Sequence, residues 1–531
     1  MTQLQESASE IIDRVSRQPG SVQDYEKLNI ILRNMSKAEL QTAVSSHGLL
    51  DIFGQMDLSN SVLSDLALSM ASVIFSTFHL TEFVHSHESE LFDAISSRNH
   101  LLRDFIISRL EEGVKNTSTE DLCIPEKLLI EISKIATQEE IENASSSLSF
   151  IKTFGVFHPQ GVKILLGNPS VKNNFIATNN DEQIIRVSEL FAEIAAARVE
   201  TFDTMVESAF FDPLFTIFQK DDPLLQLNSI AVLKLLVTFQ EGRSFLQSKG
   251  TITALLSTLQ SIEENPLCDL VLPGYLTFFG ALAASEPLRF LGTSSTLSPL
   301  TSRLSISLSS PNPTILLAAL EAISFICRTS DGKMAVAPHL EPDGCLALTL
   351  SKLSGLIQNS STELLPRILS IMSDLLRLPR SGEVSDILPA AQVTWNWFTK
   401  ISNPVSPARL LVRIWNLARQ PFRDVRLGAF QLLEAIATGP WGITLFVEQP
   451  GFIEYLLNRS TELGTATDDP SLQPAKFAVV SQCQKTQQRW NGACPQWPMM
   501  DDITSQQVDT YVKEGVWGSI QAQAAVAMEQ G

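Results

Sequence analysis

The sequence predicts an all-α fold, a HEAT/armadillo-type helical repeat solenoid that is superhelical and curved. Apolar residues recur at the i, i+3, i+4 spacing of one helix face almost throughout the chain, and alternating strand-like runs are nearly absent. An apolar motif also repeats at steps of 43 to 49 residues in the middle of the chain. The 531 residues exceed the roughly 250–300 that one hydrophobic core supports, whereas stacked repeats need no single core.

Three helices in the middle of the chain are predicted to begin at an acidic or amide residue followed by proline. Asp or Asn accepts hydrogen bonds from the first free amides of a helix, and proline at the first helical position has its φ already set. The three prolines are 43 and 47 residues apart. The dipeptides are Asp222-Pro223, Asn265-Pro266 and Asn312-Pro313.

Each of these starts is followed by three apolar residues at helical spacing, which we expect to face the core. Weaker copies of the triplet lie on both sides of these three. The middle residues of the six successive triplets are separated by 43, 46, 44, 49 and 61 residues. The first four steps are close to the roughly 40–47-residue period of armadillo and HEAT repeats, and the last predicts an insertion around Pro379 to Ser406. The triplets are Val187/Leu190/Ile194, Ile230/Leu233/Leu236, Leu276/Phe279/Leu282, Leu320/Ile323/Ile326, Leu369/Met372/Leu375 and Phe430/Leu433/Ile436.

A pair of glycines follows three of the triplets, before another apolar helix. Glycine adopts the left-handed conformation that ends many helices, so we expect these glycines to end one helix and let the next begin close by. A helix pair of this kind cannot bury its apolar face alone, which requires neighbouring repeats to stack. The pairs are Gly242 and Gly250, Gly332 and Gly344, and Gly442 and Gly451.

The quality of the repeats divides the chain into three segments. Residues 1–180 have a helical pattern without a sharp register and are interpreted as N-terminal degenerate helical repeats. Residues 181–463 form the clear HEAT/armadillo repeat array. Residues 464–531 are interpreted as a C-terminal cap and flexible tail, in which Gln487–Pro498 looks like loop and roughly the last 20 residues look like tail.

Composition and charge exclude several classes of function. With 39 Lys and Arg against 58 Asp and Glu, the net charge of −19 repels phosphate backbones, so we expect no nucleic acid partner. The apolar stretch Leu270–Ala284 is short of the roughly 20 residues of a membrane span and is expected to be a core helix, with no membrane partner. Scattered cysteines without a CxxC pair and an N-terminus without a secretory pattern predict a cytoplasmic location, with the nucleus as a second compartment.

The motifs of catalysis and cofactor binding are missing from the sequence. It contains no GxxxxGK[ST], GxSxG or HExxH motif, so we expect no enzyme activity and no cofactor. The nearest approach to a metal cluster is His79, His85 and His87. Histidines two apart on a helix point away from each other, so this segment is interpreted as a solvated helix end and no metal site is expected.

Tryptophans and arginines are concentrated towards the C-terminus. All seven tryptophans follow residue 390 and are expected to pack in the core or between repeats, with a role as interface anchors as the alternative. A local group of arginines is expected to form a solvated helix face, with an acidic partner segment as the alternative. These arginines are Arg409, Arg413, Arg419, Arg423 and Arg426.

Several segments resemble the 26S proteasome non-ATPase regulatory subunit 5 family. The clearest is Leu272–Ala283, which is similar to the family stretch LPGF-x-x-FFG-x-LA. The resemblance is clear over about Leu190–Glu462, whereas Gln482–Met500 departs from the helical pattern of the family. The other similar segments are Gln420–Phe422 continuing through Ala429–Ala437 to Pro440-Trp441, then Pro450–Tyr455, Asn458–Ser460 and Thr510–Gly515.

The resemblance implies a chaperone in assembly of the regulatory particle base of the 26S proteasome. Members of the family bind the C-terminal domain of one AAA+ ATPase subunit, alone or with associated base subunits, and leave before the proteasome matures. We expect this partner on the concave face of the solenoid and a monomer when the chain is free. From helical phase, the expected contact residues are Lys234, Tyr275, Thr277, Ser324 and Glu434.

Other classes of binding protein are alternatives to this role. Armadillo proteins that capture extended peptides use a ladder of asparagines, and the corresponding positions here are Leu235, Ala281, Phe325 and Ala435. Capture of an extended peptide is therefore disfavoured. A general armadillo-type scaffold, or a regulatory subunit of another protein complex, stays open on the sequence alone, while a hydrolase would need a clustered nucleophile and base.

Overall fold

A computed structural model describes residues 8–17, 21–53, 61–76, 84, 87–97, 100–116, 124–177, 180–220, 222–291, 298–462 and 470–518. Within these ranges the secondary structure is helical and contains no strand, as the sequence predicts. The chain is divided into two compact units, residues 1–242 and residues 243–531. The boundary after residue 242 does not coincide with residue 180 or residue 463, where the quality of the sequence repeats changes.

The first unit contains α1 (Ala8–Arg17), α2 (Val22–Asn34), α3 (Lys37–Phe53), α4 (Ser61–Ser76), α5 (Glu88–Ser96), α6 (His100–Asn116), α7 (Glu126–Gln138), α8 (Ile141–Phe157), α9 (Gly161–Gly167), α10 (Pro169–Ile176), α11 (Asp181–Ala197), α12 (Phe202–Glu207), α13 (Asp212–Phe218) and α14 (Pro223–Leu236). Two rows of helices run through it, and each helix packs against the next in its row. One row is α1, α3, α5, α7 and α10. The other, which we call the ladder of the first unit, is α2, α4, α6, α8, α11 and α14. The segment without a sharp sequence register is therefore a stack of helix pairs.

The second unit continues from α15 (Gln240–Ser248), which begins just before the unit boundary. It contains α16 (Thr251–Gln260), α17 (Cys268–Ser285), α18 (Pro287–Leu291), α19 (Ser298–Leu308), α20 (Pro313–Ile326), α21 (Ser330–Val336), α22 (Leu348–Asn359), α23 (Leu365–Leu376), α24 (Val384–Ser402), α25 (Pro407–Leu417), α26 (Arg423–Ala437), α27 (Pro440–Glu448), α28 (Phe452–Leu457), α29 (Leu472–Trp490) and α30 (Asp502–Lys513).

Helices of the second unit stack in three rows rather than two. The central row, which we call the ladder of the second unit, is α17, α20, α23, α26 and α29, each packed against the next. On its flanks run α16, α19 and α22 on one side and α18, α21, α24 and α27 on the other. Each repeat in this unit is thus a group of three helices, and α30 packs on α28 and α29 at the end of the ladder.

The apolar triplets lie on ladder helices, where the sequence pattern places them in the core. Every member of the six triplets is buried, with exposed fractions of 5% or less. At the junction of α17 and α20 the helices approach so closely that a Cβ on Gly280 would lie 2.6 Å from the Cα of Ala322. The period of 43 to 49 residues is the step from one ladder helix to the next.

Two of the three predicted helix starts are confirmed. Asp222 accepts hydrogen bonds from the amides of Leu224 and Leu225, and Asn312 accepts one from Thr314. The third is displaced, because α17 begins at Cys268 rather than at Pro266. The Asn265 side chain instead accepts from the Leu267 amide, at 2.8 Å, in a turn that precedes the helix.

Glycine pairs follow the triplets as predicted, but the first member of each pair has a different role. Gly250 and Gly451 are left-handed, with φ of 72° and 77°, whereas the prediction is wrong for Gly344, which is not left-handed. Gly242, Gly332 and Gly442 lie inside the first turns of helices, where a Cβ would come 2.1, 1.7 and 2.0 Å from the carbonyl oxygen six residues earlier. These glycines allow the next helix to start against the end of the ladder helix.

The C-terminal region is more helical than the sequence predicts. Helix α29 includes Gln487–Trp490, which was expected to be loop, and only the part after Trp490 lacks helix up to Asp502. The predicted tail begins inside α30. Arg459 holds that helix by donating to the Glu514 carboxylate and to the carbonyls of Tyr511 and Gly515, at 2.8–3.0 Å. Residues 519–531 lie outside the described part of the chain.

The tryptophans mostly pack inside the second unit, as the sequence predicts. Trp397, Trp441, Trp490 and Trp497 are buried, whereas Trp517 is 52% exposed. The prediction that the five arginines form one solvated helix face is wrong, because they differ in exposure. Arg413 donates to the carbonyls at the end of α22, at 2.6 and 2.8 Å, and Arg426 is buried; Arg409, Arg419 and Arg423 are exposed.

The apolar stretch around α17 is a ladder helix. Among the described residues, α17 is the one helix that is long and apolar enough to cross a membrane. Helices α26 and α27 would reach the required length only as one combined span, but the chain bends by 114° between them. More than half of the α17 window is buried inside the unit, as in a core helix. Of the histidine-rich segment, His79 and His85 lie outside the described residues, and His87 is buried rather than solvated.

Candidate protein-binding face

The five predicted contact residues all lie on ladder helices. Lys234 is on α14 in the first unit, and the other four are on α17, α20 and α26 in the second unit. They do not lie on one common face. Tyr275 and Ser324 are each only 2% exposed, so their predicted place on the solvent side is wrong. Burial also raises the pKa of the Tyr275 hydroxyl.

Close packing on both sides of the ladder helices explains the error for Ser324. Its hydroxyl turns inward and donates to the Glu321 carbonyl, at 2.9 Å, while the half-buried Phe325 is the next residue. A shift of one residue in helical phase therefore moves a side chain from the surface into the core. Lys234, Thr277 and Glu434 are partly exposed, and their role in binding stays a prediction.

Ion pairs between successive ladder helices cover the exposed face of the second unit. Arg367 on α23 reaches back to Glu321 on α20 with one contact at 2.8 Å, and this hydrogen bond raises the pKa of the guanidinium. Seven residues further along each helix, Arg328 donates to Asp374 at 2.7 and 3.0 Å. Each pair joins residues 46 positions apart, so opposite charges meet one repeat step away.

The next junction uses the same chemistry. Glu434 on α26 accepts from Arg377, at 2.9 Å, and also from Arg380. Since the carboxylate of Glu434 is only 13% exposed, it is held by two guanidinium groups rather than directed to solvent. The face from α20 to α26 is therefore polar, close to charge-balanced and built from side chains that are already paired.

Successive ladder helices of the first unit are joined by hydroxyl–carboxylate contacts between α6 and α8, and by an ion pair of Lys152 on α8 with Glu193 on α11, at 3.0 Å. Asp104 on α6 accepts from Ser146 on α8 at 2.6 Å, and Glu111, seven residues on, accepts from Thr153 at 2.9 Å. Both contacts again join residues one repeat step apart, here 42 positions. A hydroxyl donor satisfies a carboxylate but does not neutralise it. For Glu111 the charge is balanced by Lys115 on the same helix, at 2.7 Å.

The charges of the two units differ accordingly. Residues 1–242 contain 18 Lys and Arg against 34 Asp and Glu, a net charge of −16, whereas residues 243–531 contain 21 against 24, a net charge of −3. On α11, burial and the neighbouring carboxylate of Glu193 raise the pKa of Glu189. The first unit therefore carries almost all of the negative charge of the protein.

Buried cations in the second unit hold helices together. Lys333 is fully buried, and its ammonium donates to carbonyls at the C-terminal ends of two successive ladder helices, Cys327 of the α20 end and Leu375 of α23, the latter at 2.8 Å. Burial lowers the pKa of Lys333 to about 8. This lysine follows Gly332 as in a phosphate-binding loop, but it binds helix ends.

A second buried group lies near the C-terminal end of the ladder. Arg426 forms an ion pair with Glu462, whose carboxylate also accepts from the Tyr455 hydroxyl at 3.1 Å and lies 3.6 Å from the ammonium of Lys476. Burial lowers the pKa of Lys476 to about 8 and raises that of Tyr455. These groups are buried and saturated with partners, so they serve packing rather than chemistry on a substrate.

Sequence reasoning missed the inter-repeat ion pairs, although a signal for them exists. Glu321 with Arg367 and Arg328 with Asp374 show opposite charges one repeat step apart, at positions flanking the apolar triplets. The hydroxyl contacts of the first unit offer no such signal, because serine and threonine occur throughout that segment. Within the described ranges, no three His, Cys, Asp or Glu residues form a group that could hold a metal ion.

Comparison with known proteins gives distant but extended similarities. The chain is 22% identical to the 26S proteasome non-ATPase regulatory subunit 5 of Bos taurus over 472 residues, 88% of this chain and 90% of that protein. It is 21% identical to the human protein of the same name over the same shares, and 22% identical to that of Drosophila melanogaster over 61% of this chain and 60% of the relative.

Similarities to solved structures are weaker. A structure of importin β matches 97% of this chain and 63% of its own chain with a TM-score of 0.48 and 13% identity. Yeast importin β matches 91% and 66% with a TM-score of 0.42 and 13% identity. The family model described as proteasome non-ATPase 26S subunit matches residues 4–531. The chain therefore belongs to the proteasome non-ATPase 26S subunit family.

Proposed function

We propose that the protein is a non-catalytic chaperone for assembly of the regulatory particle base of the 26S proteasome. It binds the C-terminal domain of one AAA+ ATPase subunit and leaves before the proteasome matures. The observation that carries the proposal is the family match along almost the whole chain, together with relatives named as a proteasome regulatory subunit. The name of those relatives supports a proteasomal partner. The family resemblance implies that this partner is the C-terminal domain of an ATPase subunit.

The polar ladder face of the second unit suits a partner that must later be released. Interfaces rich in charged and hydrogen-bonding groups gain specificity and rate of association more than raw affinity. Side chains already fixed in pairs such as Arg367 with Glu321 lose little conformational freedom on binding. We therefore place the partner on the exposed face of α20, α23 and α26, with Glu434 at one end.

The first test is an affinity purification of the tagged full chain from a lysate of its own organism, read by mass spectrometry. We expect enrichment of one or a few base ATPases without the proteolytic core. Recovery of transport or signalling cargo without any ATPase would contradict the proposal, and so would stable retention of complete 26S particles.

A second test addresses the mechanism of the chaperone. Occupancy of the C-terminal domain is expected to delay docking of the ATPase onto the proteolytic core. Docking is measured with purified ATPase in the presence and absence of the full chain. Equal docking rates in the two conditions would reject steric delay while leaving binding itself to the purification experiment.

The predicted contact at Lys234 has a matched control. Lys234→Glu reverses a charge on a ladder helix, whereas Lys513→Glu reverses an exposed charge on α30, which is not itself a ladder helix. We expect the first variant to weaken ATPase capture at least fivefold and the second to leave it unchanged. Equal capture by both variants would remove Lys234 from the interface.

A further inference from the structure

A cysteine and a histidine meet in the segment between α21 and α22 of the second unit. The Cys345 sulfur lies 3.3 Å from Nδ1 of His339. Cys345 is exposed and His339 is half-buried, so the sulfur is open to small molecules in the solvent. Neither residue belongs to a ladder helix, and neither takes part in the ion pairs of the ladder face.

The other ring nitrogen determines which form of the imidazole faces the sulfur. Nε2 of His339 lies 3.1 Å from the carbonyl oxygen of Leu291, at the end of α18. Because a carbonyl oxygen only accepts hydrogen bonds, Nε2 carries the hydrogen and the neutral ring keeps its lone pair on Nδ1. The lone pair therefore faces the Cys345 thiol, as in nucleophiles that are activated by a base which a third group orients.

The backbone of the turn holds the two side chains together. The Leu346 amide donates to the His339 carbonyl at 2.9 Å, and the Gly344 amide donates to the Glu341 carbonyl at 2.8 Å. A Cβ on Gly344 would lie only 2.2 Å from the His339 carbonyl oxygen. The tight closure of the turn therefore requires glycine at this position, and the closure places Cys345 beside the imidazole.

The other cysteines that the structure describes are less accessible than Cys345. Cys327 and Cys483 are buried, and burial raises the pKa of each thiol to about 12. Cys494 is also buried, whereas Cys268 is half-buried. Burial, together with a neighbouring carboxylate, raises the pKa of the Cys268 thiol. Exposure and an adjacent base thus coincide at Cys345.

The pair suits a reaction that needs a proton acceptor first and a proton donor afterwards. Partial burial raises the pKa of the Cys345 thiol, so the sulfur keeps its proton at neutral pH until a base removes it. Hydrogen peroxide is small and neutral, and its reduction releases hydroxide, a poor leaving group that a proton donor assists. A disulfide instead releases a thiolate, which leaves more readily.

We propose that Cys345 is an oxidation site for hydrogen peroxide, with His339 as the base that activates it. The sulfur attacks one peroxide oxygen while the thiol proton passes to Nδ1 of His339. The S–O bond forms, the O–O bond breaks, and the imidazolium gives its proton to the departing hydroxide. The products are the sulfenic acid of Cys345 and water, so the sulfur is oxidised and the peroxide is reduced. This modification site is independent of the proposed ATPase partner.

The test exposes the full chain to hydrogen peroxide, traps sulfenic acid with dimedone and measures each cysteine peptide by mass spectrometry over time. Cys123, which lies outside the described residues, is replaced in every sample (Cys123→Ser). We expect Cys345 to be labelled at least tenfold faster than Cys268, the half-buried internal control. Labelling of Cys345 no faster than that of Cys268 would overturn the proposal.

Two variants separate activation by the base from simple exposure. His339→Gln can still donate to the Leu291 carbonyl but carries no base, and we expect labelling of Cys345 to fall at least fivefold. Gly344→Ala keeps both reacting groups but opens the turn, so a similar loss is expected. An unchanged rate in either variant would overturn the proposal.

The matched control is His158→Gln, at another half-buried histidine, in the first unit. We expect it to leave labelling of Cys345 unchanged, and a loss equal to that in His339→Gln would overturn the proposal. Cys268 reports on folding in the same samples, because unfolding would raise its labelling as well.

Discussion

Both units stack helices along a ladder, in two rows in the first unit and three in the second, and the polar contacts along the two ladders also differ. In the second unit, successive ladder helices are linked by arginine–carboxylate pairs, such as Arg367 with Glu321. In the first unit, contacts with the same seven-residue spacing link a carboxylate to a hydroxyl, such as Asp104 with Ser146. Stacking of repeats therefore depends on the buried apolar triplets, while the polar groups beside them determine the charge of the surface.

This difference also divides the electrostatic roles of the two units. The first unit has 34 Asp and Glu against 18 Lys and Arg and a net charge of −16, whereas the second is close to neutral. An acidic surface accelerates association with basic partners, and a balanced polar face gives contacts that select a partner.

The largest effect is expected for Arg426→Leu in the second unit. Removing this cation leaves the buried carboxylate of Glu462 with less compensation, and breaking a buried ion pair in this way costs about 3–5 kcal/mol. Chemical denaturation should show lower stability for the second unit alone. The control is Arg423→Leu at an exposed position; an equal loss in both variants would argue against the buried pair.

An intermediate effect is expected where a glycine lets helices meet. A Cβ added in Gly332→Ala would lie 1.7 Å from the Ile326 carbonyl oxygen, so we expect a loss of about 1–3 kcal/mol from overpacking. In the first unit, Gly161→Ala faces the Phe154 carbonyl at 2.1 Å and should behave alike. Gly355→Ala has no neighbour within 4 Å and should be neutral or stabilising; a loss there as large as at Gly332 would contradict the steric explanation.

The pH dependence of stability should differ between the two units. Burial lowers the pKa of Lys333 and Lys476 to about 8, while an unfolded lysine keeps an ordinary pKa near 10.5. Just above pH 8 the unfolded chain holds more protons on its lysines, so the stability of the second unit should rise by about 1–2 kcal/mol from pH 8 to 9. Above pH 9 the buried thiols of Cys327 and Cys483, whose pKa burial raises to about 12, oppose this rise.

Denaturation at a series of pH values measures this rise, and Lys333→Met should reduce it. The first unit provides the internal control, because none of its described lysines is buried. Its stability should therefore stay flat across the same pH window. A flat profile for the second unit, or an unchanged slope in Lys333→Met, would show that the buried ammonium groups do not control its stability.

The smallest effect is expected from the ladder contacts themselves. Glu321→Gln weakens a partly exposed ion pair and should cost about 0.5–1 kcal/mol at low salt, with the loss fading at high salt. Ser146→Ala in the first unit removes a hydrogen bond to a carboxylate and should cost a similar amount with less dependence on salt. Identical salt dependence of the two variants would remove the chemical distinction between the ladders.

Sequence reasoning succeeded where the repeat is marked by several features at once. Apolar triplets with Asp222-Pro223 and Asn312-Pro313 identified ladder helices because helical phase and capping chemistry are local properties of the chain. At Asn265-Pro266 the same dipeptide opens a turn, and the helix begins two residues after the proline, at Cys268. Local signals thus predict that a helix exists more reliably than they predict its first residue.

Side-chain exposure was harder to predict than helical structure. Tyr275 and Ser324 were placed at the surface by counting from the triplets, but rows of helices on both flanks of the ladder bury more of each helix than a two-helix repeat would. Such features depend on the arrangement of helices rather than on their periodicity.

The central claim is that the charged ladder face of the second unit binds the C-terminal domain of an ATPase subunit. The most direct measurement is calorimetric titration of that domain into the wild-type chain and into the double variant Glu321→Arg with Arg367→Glu. The variant keeps an ion pair between α20 and α23 but reverses its direction on the surface. We predict an affinity at least tenfold lower for the variant with an unchanged melting temperature, and equal affinity in the two proteins would contradict the claim.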